Sequence, residues 1–120
     1  MLFVSSDAGT EHYAALRECS IHCSGFYCSD AREYPMLSHY EEVRNTVIDV
    51  KAQKGVCMIH CQAGVNRSGF LAIALLCGLE HQPLLQAAQW ARQQRGRVCT
   101  NVGFQNQLFL LAKEQGWELK

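Results

Sequence analysis

No apolar run in these 120 residues is long enough to cross a bilayer. The longest one is closed by Gly78 and Glu80, well short of the roughly 20 residues that a spanning helix needs. The opening Met1-Leu2-Phe3-Val4 is too short for the apolar core of a secretion signal, and Asp7 and Glu11 follow quickly. Net charge is missing as well, because eleven Lys and Arg offset eleven Asp and Glu. A broad electrostatic footprint for nucleic acid or an acidic membrane is therefore not expected, although a local basic site is compatible with this balance. Repeats, low-complexity tracts and linkers are absent too. The expectation is a soluble protein folding as one domain over residues 1–120, large enough for a single hydrophobic core.

Cysteine, by contrast, is abundant, at seven residues. An odd count fits free thiols in a reducing compartment better than a disulfide framework, which points to an intracellular, cytoplasmic or nuclear protein. Cys19, Cys23 and Cys28 with His12 or His22 are not spaced like paired zinc knuckles, and strand alternation separates their side chains.

Short apolar runs at 2–5, 21–27 and 56–60 read as strands. The spacing predicts a helix over 10–18 with Tyr13 and Leu16 inward. A second starts near Pro35, repeats Leu37, Tyr40, Val43, Val47 and Ile48 at intervals of three and four, and ends at Gly55. A third covers 68–79 almost without a polar break, which places it at the centre of the fold. Pro83 opens a fourth, with Leu84, Ala87, Ala88 and Ala91 on one face and Gly96 past its end; a fifth from about Gly103 uses Phe104, Leu108, Leu111 and Ala112. Strands alternating with helices indicate an α/β fold, a mainly parallel central sheet flanked by helices, with ligands outside the carboxyl ends of the strands.

The chemistry concentrates in His60-Cys61-Gln62-Ala63-Gly64-Val65-Asn66-Arg67-Ser68-Gly69. A strand, a tight turn and a helix start put the Cys61 thiol where backbone N–H groups and the positive end of a helix dipole make an anion site. Arg67 can fold over that site and hold a phosphate by two parallel N–H···O bonds. Such a field draws a cysteine pKa from near 8.5 to about 3.5–7.5, which makes a thiolate nucleophile suited to a phosphoryl group. His22-Cys23 repeats the His-Cys pair, but Ser29 stands where the arginine is needed.

An expelled alkoxide or phenoxide leaves faster when protonated, so an acid is needed near Cys61. The strand at 21–27, the helix after Pro35 and the strand at 56–60 form a β-α-β unit with parallel strands, so the loops after both strands emerge on one edge of the sheet. Asp30 lies in the first of these loops and Cys61 begins the second. Asp7, after the first strand, and Glu33, nearer the helix, are the alternatives.

These residues match the H-C-x5-R-S/T signature of the cysteine-dependent protein tyrosine phosphatase superfamily, and H-C-x-A-G-V-x-R-S resembles its dual-specificity branch. Leu37-x-x-Tyr40 and Asn101-x-Gly103-Phe104-x-x-Gln107-Leu108 are similar to further patterns of that branch. The resemblance implies a compact protein tyrosine phosphatase-like fold and a single catalytic domain. It also implies hydrolysis of phosphotyrosine and phosphoserine/threonine in a phosphorylated protein partner, through a cysteinyl-phosphate and with no metal or cofactor. Cys61 is then the nucleophile, and Asp30 the acid and later the base. Arg67 and the N–H groups of Gln62, Ala63, Gly64, Val65 and Asn66 hold the phosphate oxygens, with Gly64 free to take a positive φ. Ser68 donates to the sulfur or caps the helix, His60 supports the loop, and Asn101 braces it or simply starts a helix.

Arg95 and Arg97 read as surface charges, with contact to substrate as the alternative, and Cys57 or Cys28 as disulfide partners of Cys61 under oxidation. Dual-specificity domains normally carry further strands before the point where this chain begins, so the resemblance implies either a missing edge of the sheet or a short form. Asn66 turns the loop toward the G-x-N-R-T-G of RNA 5′-triphosphatase relatives, whose second loop residue differs from Ala63; RNA is the alternative substrate. A phosphate-binding module without catalysis is a further alternative, but Cys61, Arg67 and Asp30 are all present. Arsenate reductases and low-molecular-weight phosphatases carry C-x5-R near the N-terminus, whereas here it is mid-chain.

Overall fold

The computed structural model describes residues 2–4 and 13–120. The turn at 6–10, the helix start at Thr10, the Tyr13 side chain, His12 and the alternative acid Asp7 lie outside the described residues. Three strands, β1 (Leu2–Val4), β2 (Cys23–Gly25) and β3 (Met58–His60), form a parallel sheet in the order β2-β1-β3. Val4 is in register with Gly25 on one side and His60 on the other. The chain therefore leaves β2 and β3 at one edge, where the loops bearing Asp30 and Cys61 begin. The strands of the expected β-α-β unit are parallel but not neighbours, since β1 runs between them. They are also shorter than their apolar runs, because Tyr27 and Val56 lie beyond the sheet, 65% and 83% exposed.

The helices are α1 (Tyr13–Glu18), α2 (Tyr40–Ala52), α3 (Arg67–Glu80), α4 (Leu84–Arg95) and α5 (Val102–Gln115). The helix expected from Pro35 is split: Met36–His39 form a 3-10 turn that leads into α2. Its buried face holds Met36, Tyr40, Val43 and Val50, while Ile48 is left at the surface. Gly55 stands one residue too late to be the left-handed stop; Lys54 takes that role at φ 57. Its N–H donates to Lys51 and that of Gly55 to Val50, the paired bonds that close a helix end.

Helix α3 packs against β3, α2, α4 and α5 and is the centre of the fold. Phe70, Leu71, Ile73, Ala74, Leu75 and Cys77 are buried on it, though Ala72 reaches the surface and Leu76 is half-buried. Phe70 meets Phe104 of α5 edge to face, with centroids 5.9 Å apart, and Tyr40 meets Trp117 likewise at 5.3 Å. Gly78 does not end α3; it lets the Tyr40 hydroxyl approach the helix backbone, and His81, at φ 58, closes the helix instead. On α4 the buried residues are Leu84, Ala87 and Ala91, and on α5 they are Phe104, Leu108, Leu111 and Ala112, as their spacing predicts. Among the described residues no helix is long and apolar enough to cross a membrane.

Candidate active site

The loop between β3 and α3 turns at Gly64, whose φ of 70° is the left-handed conformation that favours glycine. The first α3 bond, Phe70 N–H to the Asn66 carbonyl at 2.8 Å, starts the helix immediately after the loop. That start brings Ser68 back over Cys61. Its hydroxyl oxygen lies 3.3 Å from the Cys61 sulfur, and its N–H donates to the same sulfur at 3.4 Å. Cys61 and Ser68 are both buried. Burial pushes the Cys61 thiol up, but the Ser68 hydroxyl and N–H, the Gly64 N–H and the Arg67 charge outweigh it, so the thiol lies below its ordinary value. The Ser68 hydroxyl and N–H both face the sulfur, and no side-chain bond from Asn66 caps α3.

Arg67 is half-buried and donates through Nη1 to the Cys28 carbonyl at 3.3 Å, which ties it to the loop that carries Asp30. Its Nε is buried without a hydrogen-bond partner. A buried charged donor left open is costly in a folded core and typical of a group reserved for a ligand.

Asp30 is exposed, yet both of its carboxylate oxygens are held. Asn66 Nδ2 donates to one at 3.0 Å and Asn101 Nδ2 to the other at 2.9 Å. Glu33 is exposed and makes none of these contacts. Asn101 makes two further contacts. Its Oδ1 caps α5 by accepting from Phe104 N–H at 3.2 Å, and its own N–H donates to Asn66 Oδ1 at 2.9 Å.

The segment before α5 also supports the loop from behind. Cys99 N–H donates to the Val65 carbonyl at 2.9 Å. Gly69 admits this segment, since a Cβ there would stand 2.8 Å from Val98 Cγ1 and 3.1 Å from Cys99 N. The Asp30 loop is fastened to α5 by Gln107, which donates to the Tyr34 carbonyl at 2.7 Å and accepts from Leu37 N–H at 3.1 Å. The Tyr34 hydroxyl donates to the Tyr27 carbonyl at 3.0 Å and lies 2.8 Å from His39 Nε2. His39 in turn stacks on Phe26 at 4.0 Å, and burial draws its pKa down against the pull of Glu42.

Cys61, Arg67, Ser68, Asn66, Asp30 and Asn101 are thus brought together. His60 is half-buried at the end of β3, and Gln62 and Ala63 are exposed in the loop. Arg95 is exposed but is more than a remote surface charge: its Nη2 lies 3.3 Å from where a Cβ on Gly64 would stand, beside the loop. Arg97 is exposed. Sequence reading missed Gly103, Gln107, Tyr34, His39 and Cys99. Gly103 and Gln107 sat inside a recognised pattern without a role, whereas the other three carry no local signal. None of the seven cysteines is in a disulfide; Cys19 is exposed, Cys23 lies on β2 and Cys28 is in the core. A cavity of about 500 Å3 between α4 and α5 holds none of the cluster; a smaller one of about 170 Å3 backs onto Gly64 and Ser68.

The family model for the dual specificity phosphatase catalytic domain matches residues 7–114. Dual specificity protein phosphatase 14 of Homo sapiens is 34% identical over 80 residues, covering 67% of this chain and 40% of that protein. Dual specificity protein phosphatase 5 of Rattus norvegicus is 28% identical over 110 residues, covering 92% of this chain and 27% of that protein. The chain thus spans well under half the length of these relatives. The crystal structure of human DUSP28 superposes with a TM-score of 0.78 at 19% identity, over 94% of this chain and 74% of that one. Tk-PTP in its active form superposes with a TM-score of 0.82 at 17% identity, over 93% and 77%. At these identities the structural likeness speaks for the protein tyrosine phosphatase-like α/β fold alone.

Proposed function

Because the chain belongs to the dual specificity phosphatase catalytic-domain family, we propose that residues 1–120 act as one cysteine-dependent protein phosphatase domain, hydrolysing phosphotyrosine and phosphoserine/threonine. The Cys61 thiolate attacks phosphorus. A sulfur–phosphorus bond forms as the bond to the leaving oxygen breaks, and Asp30 gives that oxygen its proton. Arg67 and the N–H groups from Gln62 to Arg67 hold the equatorial oxygens. Asp30, now a carboxylate, takes a proton from water, whose oxygen attacks phosphorus. The sulfur–phosphorus bond breaks, inorganic phosphate departs, and Cys61 leaves as a thiolate accepting the Ser68 hydroxyl. His60 supports the loop, and no metal or cofactor enters any step. The partner is a phosphorylated protein, and seven cysteines with no disulfide among them suit a reducing intracellular compartment.

One observation carries the reading. The Cys61 sulfur takes the hydroxyl and the N–H of Ser68 together, and its thiol is drawn down at a helix start beside Arg67. The RNA 5′-triphosphatase alternative is not favoured. The matched family and the named relatives are dual specificity phosphatases, and the Asn66 side chain that suggested it is turned to Asp30 and Asn101. The test is a panel of phosphotyrosyl and phosphothreonyl peptides and 5′-triphosphate RNA, with Cys61→Ser alongside. Hydrolysis of the peptides, abolished by Cys61→Ser while phosphate binding is kept, is expected. Full activity in Cys61→Ser, or turnover of RNA only, defeats the proposal.

A further inference from the structure

We infer that Asn66 is a positioning residue for the Asp30 carboxyl group, an assignment that rests on the phosphatase reading above. Asn66 stands at the N-cap of α3, where an asparagine ordinarily accepts an N–H of the first turn. Here its side chain makes no capping bond. Its Oδ1 accepts the Asn101 N–H at 2.9 Å and the Thr100 hydroxyl at 3.3 Å, and its Nδ2 donates to Asp30 Oδ2 at 3.0 Å.

The orientation of this amide is fixed by chemistry. A backbone N–H can only donate, so the Asn66 oxygen has to face Asn101, and the NH2 is left facing Asp30. Asn101 is locked in the same way: its Oδ1 accepts Phe104 N–H, so its NH2 faces the other Asp30 oxygen. A carboxylate on an exposed loop is thereby gripped on both oxygens by two amides that cannot flip. One of these amides sits in the nucleophile's own loop, next to Arg67. The acid and the nucleophile are held in one frame through Asn66, and each carboxylate oxygen keeps a second lone pair for the travelling proton.

The task is specific to the proton-transfer half of the chemistry, and this gives it a signature. Asn66→Asp keeps the acceptor for Asn101 and Thr100 but sets a second carboxylate against Asp30, so Asn66→Ala, which adds no charge, is the deciding variant. Asn66→Ala is expected to lose about tenfold or more in kcat on phenyl phosphate, a part of what a positioned acid supplies. On an aryl phosphate whose leaving group needs no proton the loss should be several-fold smaller, and this difference is the signature. In an Asp30→Ala background, Asn66→Ala should add nothing, since the group it positions is gone. Backbone amides at 29–33 should exchange faster in Asn66→Ala than in the parent protein. Equal losses on both substrates, a loss that persists in the Asp30→Ala background, or an Asn66→Ala variant as active as the parent would each overturn the proposal, the first two by assigning Asn66 to bracing the phosphate loop instead. A parent protein that hydrolyses neither aryl phosphate defeats the phosphatase reading; the exchange at 29–33 then decides the tether by itself, and unchanged exchange overturns it.

Discussion

Gly103 and Arg32 meet backbone to backbone. A Cβ on Gly103 would stand 2.6 Å from the Arg32 carbonyl carbon and 2.7 Å from its Cα, so the first turn of α5 is the wall against which the Asp30 loop is folded. Propensity alone favours alanine over glycine inside a helix by about 1 kcal/mol. Here the neighbour is main chain and cannot swing aside, so Gly103→Ala is expected to reverse that sign. The melting temperature should fall, and kcat on phenyl phosphate should fall with it as residues 31–34 are pushed outward. A thermal melt and a steady-state assay of the same variant check both; a raised melting temperature would mean that the loop yields freely.

The two contacts from Ser68 to the Cys61 sulfur can be separated. Ser68→Ala removes the hydroxyl and keeps the N–H. The parent thiol lies below its ordinary value, so its thiolate persists as pH falls. Loss of the hydroxyl should move the midpoint of iodoacetamide alkylation of Cys61 upward without restoring an ordinary thiol. In a rapid-quench experiment the phosphoenzyme should accumulate, because the departing sulfur has lost its hydroxyl donor. An unmoved midpoint would assign the lowering to the N–H groups and Arg67 alone.

Two core thiols are pushed the other way. Burial raises Cys77 from 9.0 to about 11, and raises Cys99 to about 12 against the pull of Arg92. A raised pKa means that the native state keeps a proton that the unfolded chain releases. The contribution is full below about pH 9 and is lost as pH climbs toward the folded values. Urea midpoints should therefore decline on the alkaline side, and Cys77→Ala and Cys99→Ala should each flatten that decline whatever they cost at neutral pH. Equal slopes in all three proteins would contradict it.

The apolar face of α5 was legible because four of its positions repeat at the core spacing, and the central place of α3 because its run carries almost no polar break. Of the candidate site, Cys61, Arg67 and Ser68 stand at a fixed spacing that can be read directly, and Asp30 was reached through the order of strands and loops, with Asp7 and Glu33 as alternatives. Lys54 and His81, which close α2 and α3, were not, since propensity assigns such left-handed stops to glycine and tertiary packing overrode it. The same holds for Asn66. From the sequence it carries a backbone contact to phosphate and a likeness to RNA 5′-triphosphatase loops, and only the return of the chain at Thr100 and Asn101, far along the sequence, turns its side chain to Asp30. Gln107 is similar, since its amide contacts Tyr34 and Leu37, some seventy residues earlier. Such pairings rest on distance in space, which no local periodicity encodes.

Charge and geometry at Arg67 can also be told apart. The guanidinium lowers the Cys61 thiol as a cation, but it also ties to Cys28 through Nη1 and leaves Nε, one arm of its planar fork, without a partner. Arg67→Lys keeps the first property and loses the second, since an ammonium carries no planar pair of donors. Among the influences on the thiol, the Arg67 charge ranks behind the Ser68 and Gly64 contacts. The alkylation midpoint of Cys61 should therefore move little in Arg67→Lys. Turnover should nevertheless fall by about two to three orders of magnitude, the range seen when a donor aimed at developing charge is removed. Measuring both on one preparation is decisive: if turnover falls only as far as the thiolate fraction does, Arg67 works as a charge, and the fork has no part in the chemistry.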